Sequence, residues 1–312
     1  MYKLLAAIII SLFPTGLFAQ NSKNPDDINK HALRSFERGE YEEAISGFTK
    51  VIELTSSLQP HSRSLSSNFT KEKTSANDLT SDDRVTVLDP RTAAAYVNRG
   101  KSYFANGDAV KAIDDYNHAL TISPAMPAAY LCRGSAWLSK RRYDLAISDF
   151  DKVIKLEPDM ADGYIARGVV EFNQGLNQAA LEDLNLAIKI QPKSSVAFYY
   201  RGEIYRRTGN STAALPDFEY AIKLDPNFGY GYLGRGLVTL RSGNPEAAIR
   251  DFTTAISFSP RLAEAYSNRG LSYTAVGNDD EAKKDFARAI ELDPGLGAAI
   301  EAGVKVLKGS KQ

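Results

Sequence analysis

The sequence has little cysteine and no excess of charge of either sign. A single cysteine, Cys132, excludes an intramolecular disulfide and a cysteine-based zinc site. A lone cysteine is most often a small buried apolar residue, and we predict this for Cys132. The 38 basic side chains are matched by 38 acidic ones. Nucleic-acid binders and polybasic membrane-surface proteins depend on excess Lys and Arg, so we predict neither nucleic-acid nor membrane-surface binding.

The sequence also lacks the residue patterns that carry catalysis. Its three histidines are scattered over positions 31, 61 and 118, which does not favour a metal site. We find no glycine-rich phosphate loop and no nucleophile with a plausible base beside it. Paired carboxylates such as Asp279 and Asp280 occur at predicted helix starts, where the helix dipole favours acidic residues. We therefore predict no enzyme activity, no catalytic residue, no metal and no cofactor.

One apolar run stands out, at the very beginning of the chain. Lys3 is followed by apolar residues 4–13, a Pro14 break and a small residue at Ala19. This order is typical of a secretory signal peptide, predicted over residues 1–19 and cleaved after Ala19. The run is too short for a spanning helix of about 20 residues. We expect an exported protein, periplasmic or secreted, without stable membrane insertion after cleavage.

What the sequence has in abundance is a repeat of 34 residues. Six Arg-Gly pairs follow one another at this interval. Their arginines are Arg99, Arg133, Arg167, Arg201, Arg235 and Arg269. Prolines recur at the same interval from Pro90 to Pro294. The phasing defines six contiguous copies over residues 93–296.

Each copy has the pattern of two helices. In the copy 93–126, Tyr96, Gly100 and Tyr103 share one helical face, and Gly107 ends that helix. A second apolar face follows and ends before Pro124. One such hairpin cannot bury its own apolar faces, but a stack of them can. The predicted fold class is therefore all-α, built from antiparallel helix pairs.

The repeat resembles the tetratricopeptide repeat family. The resemblance rests on the glycine of each Arg-Gly pair and on columns of aromatic, alanine, phenylalanine and proline residues. Within the first copy these are Tyr96, Ala112, Tyr116 (in the phenylalanine column) and Pro124. It implies a right-handed superhelical solenoid and a role as an adaptor that holds other proteins.

The ends of the array are less regular. Residues 25–58 resemble a further repeat, with Gly39, Ala44 and Phe48 in family positions. Residues 59–92 are rich in Ser, Thr, Asn and Asp, and we interpret them as a flexible insertion or, since the phase is preserved, a decayed repeat. Residues 297–312 are expected to form a C-terminal capping helix.

The repeated arginine has a companion aspartate sixteen residues later. These are Asp115, Asp149, Asp183, Asp217, Asp251 and Asp285. The copy 25–58 has His31 and Gly47 at the two positions, and the stretch 59–92 has Leu65 and Ser81. Gain and loss as a pair predicts Arg–Asp hydrogen bonds between the two helices of a copy, rather than ligand-binding arginines.

One turn departs from the repeat. Lys140-Arg141-Arg142 replaces the usual glycine turn, which predicts a strained or differently closed hairpin.

The resemblance places the binding surface on a concave groove lined by first-helix side chains. The residues at the matching positions that we select are Val97, Asn98, Phe104, Leu131, Ile165, Phe172, Tyr199, Tyr200, Arg206, Arg207, Leu233 and Arg241. The lysines of the two-carboxylate clamp found in some members are absent, so we do not predict that clamp. The groove is apolar and aromatic with a basic spot, a composition typical of protein-partner hot spots. The alternative is that these apolar residues are buried between turns of the superhelix.

The function expected first is an exported, non-enzymatic scaffold that holds a peptide or a helical segment of a protein partner. A self-assembling structural subunit is the second hypothesis, so self-association remains open. A binder of a glycan or small ligand in the groove is the third.

Overall fold

The structure is a computed structural model that describes residues 24–56 and 90–309. The predicted signal peptide over residues 1–19 lies outside the described residues, as do residues 57–58 of the predicted first repeat and residues 59–89 of the predicted insertion. The described residues divide into two compact units, the first ending at Pro158 and the second beginning at Asp159. Each unit is a series of helical hairpins.

The N-terminal unit contains three hairpins. Its helices are α1 (Pro25–Glu37), α2 (Tyr41–Ser56), α3 (Pro90–Ala105), α4 (Ala109–Ile122), α5 (Pro127–Ser139) and α6 (Tyr143–Leu156). Helices α1 and α2, α3 and α4, and α5 and α6 pair, and each hairpin packs on the next along the chain.

The C-terminal unit contains four hairpins and a final helix. Its helices are α7 (Ala161–Asn173), α8 (Asn177–Ile190), α9 (Ser195–Arg207), α10 (Ser211–Leu224), α11 (Gly229–Arg241), α12 (Pro245–Phe258), α13 (Ala263–Val276), α14 (Asp279–Leu292) and α15 (Gly297–Gly309). A short 3-10 turn, Pro294–Leu296, precedes α15. Neither unit contains a strand among its described residues. The predicted all-α fold class of paired helices is confirmed.

Close approach of the two helices explains the glycine and aromatic columns. A Cβ atom added at Gly134 on α5 would lie 2.6 Å from the Phe150 ring on α6. The same conflict occurs between Gly236 and Phe252 at 2.7 Å. Since real Cβ atoms do not approach carbon this closely, the ring of the second helix occupies the space that the glycine leaves open.

The turns inside the hairpins need a left-handed residue. Glycine supplies it in six hairpins, with φ between 78° at Gly39 and 92° at Gly107. In the α5–α6 hairpin the position is held by Arg141 with φ of 57°. Arg141 N–H donates to the Leu138 carbonyl at 2.9 Å, as Gly107 N–H donates to Phe104 at 3.1 Å. The hairpin therefore closes with the same hydrogen bond as the others, on a strained residue. Of the two predicted alternatives, a strained turn and a differently closed one, the strained turn is observed.

Helices α2 and α3, which flank residues 57–89, are both extended. Each has 16 residues, whereas α4 and α5 have 14 and 13. Thr92 Oγ1 donates to Thr55 Oγ1 at 2.8 Å between the two extensions, and both side chains are buried. The α1–α2 hairpin thus packs directly on α3. Residues 90–92, assigned by sequence to the insertion, are instead the first residues of α3.

The two remaining structural predictions concern Cys132 and the C-terminus. Cys132 is free and buried, as predicted. Helix α15 follows the last hairpin, with Ile300 buried, and a Cβ atom added at Gly303 would lie 2.8 Å from the Leu271 side chain on α13. Across residues 24–56 and 90–309, no helix is both long and apolar enough to cross a membrane.

Candidate functional site

The repeated arginines hold the two helices of each hairpin together. In all six copies Nε and Nη2 of the arginine donate to the two carboxylate oxygens of the aspartate sixteen residues later. The shortest and the longest of these donor–acceptor distances, 2.6 and 3.0 Å, both occur in the Arg235–Asp251 pair. The other five pairs are Arg99–Asp115, Arg133–Asp149, Arg167–Asp183, Arg201–Asp217 and Arg269–Asp285. The predicted Arg–Asp ladder is confirmed for these six pairs.

The third nitrogen of the guanidinium reaches the preceding hairpin. Arg133 Nη1 donates to Asn117 Oδ1 at 2.7 Å, and Arg201 Nη1 donates to Asn185 Oδ1 at 2.8 Å. Arg99 Nη1 donates to Thr49 Oγ1 at 3.1 Å, across the 50 positions that separate the two residues. Each of these arginines therefore links three helices: its own, its hairpin partner and the second helix of the preceding hairpin.

The planar faces of these arginines lie over aromatic rings. Arg133 lies 5.5 Å from the Tyr130 ring centre, and Arg201 lies 5.3 Å from that of Phe198. Such cation–π contacts add to the hydrogen bonds of the same side chain. Because both the edge and the face of the guanidinium are used inside the fold, the ladder arginines are structural residues.

Electrostatics within the ladder act in opposite directions. The hydrogen bonds from Arg133 to Asp149 raise the pKa of Arg133. Burial raises the pKa of the Asp149 carboxyl, and Arg133 only partly opposes this effect. Desolvation of the carboxylate therefore cancels part of the attraction between the two charges.

Seven of the twelve predicted groove residues are buried against neighbouring helices. They are Val97, Leu131, Ile165, Phe172, Tyr199, Tyr200 and Leu233. Tyr199 contacts the rings of Tyr200 and Phe218 at centre distances of 5.2 and 6.0 Å. These seven side chains are buried, as the alternative interpretation of the groove residues expected. That any of them contacts a partner stays a prediction.

The other five predicted residues reach the surface. Asn98, Phe104 and Arg206 are half-buried, and Arg207 and Arg241 are exposed. Asn98 and Phe104 lie on α3 of the N-terminal unit, whereas the three arginines lie on α9 and α11 of the C-terminal unit. The accessible predicted residues thus fall into a polar-aromatic pair in one unit and a basic group in the other.

A buried carboxylate fixes two of these arginines. Arg206 Nε and Nη2 donate to the two oxygens of Glu203, both at 2.7 Å. Arg207 Nε donates to Glu203 Oε1 at 2.7 Å, and its guanidinium lies 5.2 Å from the Phe172 ring centre. Sequence reasoning missed Glu203, although its spacing of three and four residues to the arginines places all three on one helical face.

Aromatic rings gather beside this charged group. Tyr199 on α9 meets Phe228 at 5.6 Å and Tyr230 at 5.8 Å between ring centres, and Phe228 meets Tyr230 at 6.0 Å. We call Tyr199, Phe228 and Tyr230 the aromatic cluster. It lies on the first-helix face of the C-terminal unit, formed by α7, α9, α11 and α13, where α9 contacts α7 and α11.

Comparison with known protein families identifies the repeat that forms these hairpins. Profiles of the tetratricopeptide repeat match residues 93–125, 133–195, 195–228 and 263–296. The chain belongs to the tetratricopeptide repeat family. Members of this family serve as scaffolds for protein partners, and this is the function class that membership indicates. No curated protein matches the sequence significantly.

Solved structures share the fold at low sequence identity. A tetratricopeptide repeat protein from Parabacteroides merdae is 16% identical, with a TM-score of 0.63 over 92% of this chain and 100% of its own. The Cut9–Hcn1 hetero-tetramer of APC/C gives 14% identity and a TM-score of 0.63 over 90% of this chain and 55% of that one. PilF of Pseudomonas aeruginosa gives 18% identity and a TM-score of 0.54 over 65% and 92%.

Proposed function

We propose that this chain is an exported, non-enzymatic adaptor of the cell envelope, periplasmic or secreted, that binds a peptide or helical segment of another protein in its groove. Membership of a scaffold family supports the binding of a protein partner. The order of charged, apolar and small residues over positions 1–19 supports export.

One observation supports the location that we propose for the binding surface. On the first-helix face of the C-terminal unit, Arg206 and Arg207 are fixed on Glu203 beside the aromatic cluster. Half of the Arg207 side chain remains exposed. Preorganised arginines next to aromatic rings are the typical anchors of protein–protein interfaces, because little side-chain entropy is lost when a partner binds.

Pull-down from envelope extract with the mature chain tests this surface. The double variant Arg207→Ala/Arg241→Ala removes two exposed arginines from the first-helix face, and we expect it to lose its captured partner. Arg250→Ala/Arg261→Ala is the matched control, since both residues are exposed outside that face. Equal capture by the two double variants would show that the partner binds elsewhere. Buried Tyr199 is unsuitable for this test because its loss would disturb packing.

Export is tested separately by cell fractionation and N-terminal sequencing. The expected mature chain begins at Gln20 and is recovered outside the cytoplasm. Recovery of an uncleaved chain from the cytoplasm would contradict the proposal of export without touching the proposed binding surface.

A further inference from the structure

The aromatic column of the repeat ends on a ring that the chain covers only in part. Phe286 on α14 is half-buried, and Ile290, one turn further along that helix, is 41% exposed. In the other five copies of residues 93–296 the side chain in this column is at most 1% exposed. Within the C-terminal unit the next hairpin packs over it: a Cβ atom added at Gly234 on α11 would collide with the Phe218 ring on α10.

Helix α15 leaves the Phe286 ring partly open because it packs mainly on α13. The turn Pro294–Leu296, rather than α15, supplies most of the contacts to α14. A cleft of about 410 Å³ remains between α14 and α15, with Ala282, Phe286, Ile300 and Val304 as its apolar lining residues. Protein interiors are normally packed without gaps of this size, so this end of the unit has room for a further helix.

The outward face of α15 carries an apolar stripe. Ala299, Ala302 and Val306 follow one another at i, i+3 and i+7, and all three are exposed, Val306 by 68%. Glu301 and Lys305, one turn apart, lie beside the stripe and also line the cleft. Within residues 24–56 and 90–309, neither of these two side chains forms an ion pair.

The first residue of the stripe stands where regular first helices bury a small residue. Ala299 is the third residue of α15, which begins three residues after Pro294, as α5, α7, α9, α11 and α13 begin after their own repeat prolines. An added Cβ atom at Gly231, the third residue of α11, would lie 2.9 Å from Ile222 on the preceding hairpin. The position therefore serves close helix packing, and in those five helices it holds a buried Ala129, Gly163, Ala197, Gly231 or Ala265.

The charges on α15 match a second copy of the same helix. When two α15 helices pack antiparallel about a two-fold axis near Gly303, Glu301 of each copy lies opposite Lys305 of the other. The small alanines of the stripe let the two backbones approach closely. A surface that is complementary to itself in this way is what an isologous dimer requires.

End-to-end stacking through the first hairpin is disfavoured by charge. A second copy would have to place its α1 on α14, in the way that α11 packs on α10. Helix α1 has Asp27 at its third position, where α11 has Gly231, and Asp26 beside it. Burial of these carboxylates against the Phe286 ring would carry a desolvation cost that the alanines of α15 do not have.

We infer that two copies of this chain associate through the cleft between α14 and α15. Helix α15 of each copy lies antiparallel to α15 of the other and covers Phe286 and Ile290 on the other copy's α14. The contact closes after two copies, because both use the same surface. The inference goes beyond the proposed adaptor function and does not depend on it, since it concerns the end of the unit rather than the first-helix face.

Sedimentation equilibrium on the mature chain tests the association. Over about 1 to 100 μM, the range in which weak dimers dissociate, we expect the mean mass to rise from one copy to two. A mass that stays at one copy throughout would show that the inference is wrong. A mass that rises beyond two copies would contradict a closed contact.

Charge-swap variants test the antiparallel geometry. Glu301→Lys and Lys305→Glu each place like charges opposite one another and should raise the dissociation constant about tenfold. The double variant Glu301→Lys/Lys305→Glu restores opposite charges and should associate like the wild type. A mixture of the two single variants should form heterodimers for the same reason. Recovery in the double variant cannot arise from misfolding, and a double variant as weak as the single ones would contradict the pairing.

Ala302→Glu tests the stripe itself. It places two like carboxylates close together near the two-fold axis and should leave the chain monomeric up to about 100 μM. Ala125→Glu makes the same change at an exposed residue between α4 and α5 and should leave the dimer intact. A dimeric Ala302→Glu variant would show that the copies associate through another surface. A monomeric wild type whose captured partner is lost in Ala302→Glu would show that a different protein occupies the cleft, which also overturns the inference.

Discussion

At Arg133 a single side chain contacts three helices. Its guanidinium lies on α5, binds Asp149 on α6 and also donates to Asn117 on α4. The side chain is 22% exposed and its aspartate 6%. This side chain joins the two helices of its own hairpin and also joins that hairpin to the preceding one. Its loss should therefore weaken both kinds of packing.

The first prediction at this scale concerns the Arg133–Asp149 pair. Asp149→Ala should lower the free energy of unfolding by about 3 kcal/mol, because a mostly buried guanidinium loses its charged partner. Arg133→Ala should cost a similar amount. In the double variant the two losses should fail to add, with a coupling of about 1–3 kcal/mol. Urea unfolding measures all four proteins, and strict additivity would argue against a functional pair.

The second prediction concerns the strained turn. Arg141→Gly should stabilise the chain by about 1 kcal/mol, because glycine adopts positive φ without the steric penalty of a side chain. Lys140→Gly is the control, since Lys140 has φ of −89° and gains nothing from glycine. Thermal unfolding with a raised midpoint for Arg141→Gly alone is expected. A midpoint unchanged by Arg141→Gly would mean that the turn carries no strain.

The residue scale also shows the limit of single-sequence reasoning. The Arg–Asp ladder was predictable, because arginine and aspartate appear and disappear together in the repeats. Glu203 was not predictable in this way, since a carboxylate occurs at its position in one copy alone and no repeated column pairs it with Arg206 or Arg207. Burial of Tyr200 was also not decided by the repeat, because the matching position is half-buried at Asn98 and Asn268 and buried at Cys132.

At the scale of elements, helix pairing depends on glycines that face aromatic rings. Helices α11 and α12 approach closely where Gly236 meets the Phe252 ring. Phe252 is fully buried with Leu233, Ala248 and Ala265 around it. The ring therefore has little freedom to move away from an added methyl group, and the hairpin depends on the glycine.

A third prediction follows for this hairpin. Gly236→Ala should destabilise the chain by about 1–3 kcal/mol, the usual cost of overpacking a core. Gly297→Ala is the control at the start of α15, where an added Cβ meets nothing within 4 Å and alanine favours the helix. Chemical unfolding should show opposite signs for the two variants. A neutral Gly236→Ala would show that the helices separate easily.

The helical hairpins themselves were predictable, but two helix ends were not. Glycine and proline columns mark the turns of the regular repeats, and the structure places the turns there. The extensions of α2 to Ser56 and of α3 back to Pro90 had no such signal, because Thr55 and Thr92 lie outside the periodic apolar pattern. Their contact joins residues 37 positions apart, a distance at which local sequence rules carry no information.

For the molecule as a whole, hairpins pack on one another even where a long stretch of sequence separates them. The α1–α2 hairpin is separated from α3 by residues 57–89, yet it packs on α3 as later hairpins pack on their neighbours in the same unit. Val51 and Ile52 form a buried cluster with Ala95, and Arg99 reaches Thr49.

A fourth prediction tests this arrangement. Replacing residues 57–89 with an eight-residue Gly/Ser linker should preserve the helical content and stabilise the chain by about 1 kcal/mol, because a shorter loop costs less entropy to close. Circular dichroism and thermal unfolding measure both quantities. Loss of helix in the shortened chain would mean that the first hairpin needs residues 57–89 to stay in place.

The α1–α2 hairpin, which accepts a hydrogen bond from Arg99 at Thr49, binds α3 as an intramolecular ligand would. Its docking is governed by mass action, with an effective concentration set by the length of the connection. Cleavage within residues 57–89 would turn that contact into a bimolecular one. The hairpin would then leave on dilution, and α3 would present the surface that Val51 and Ile52 now cover.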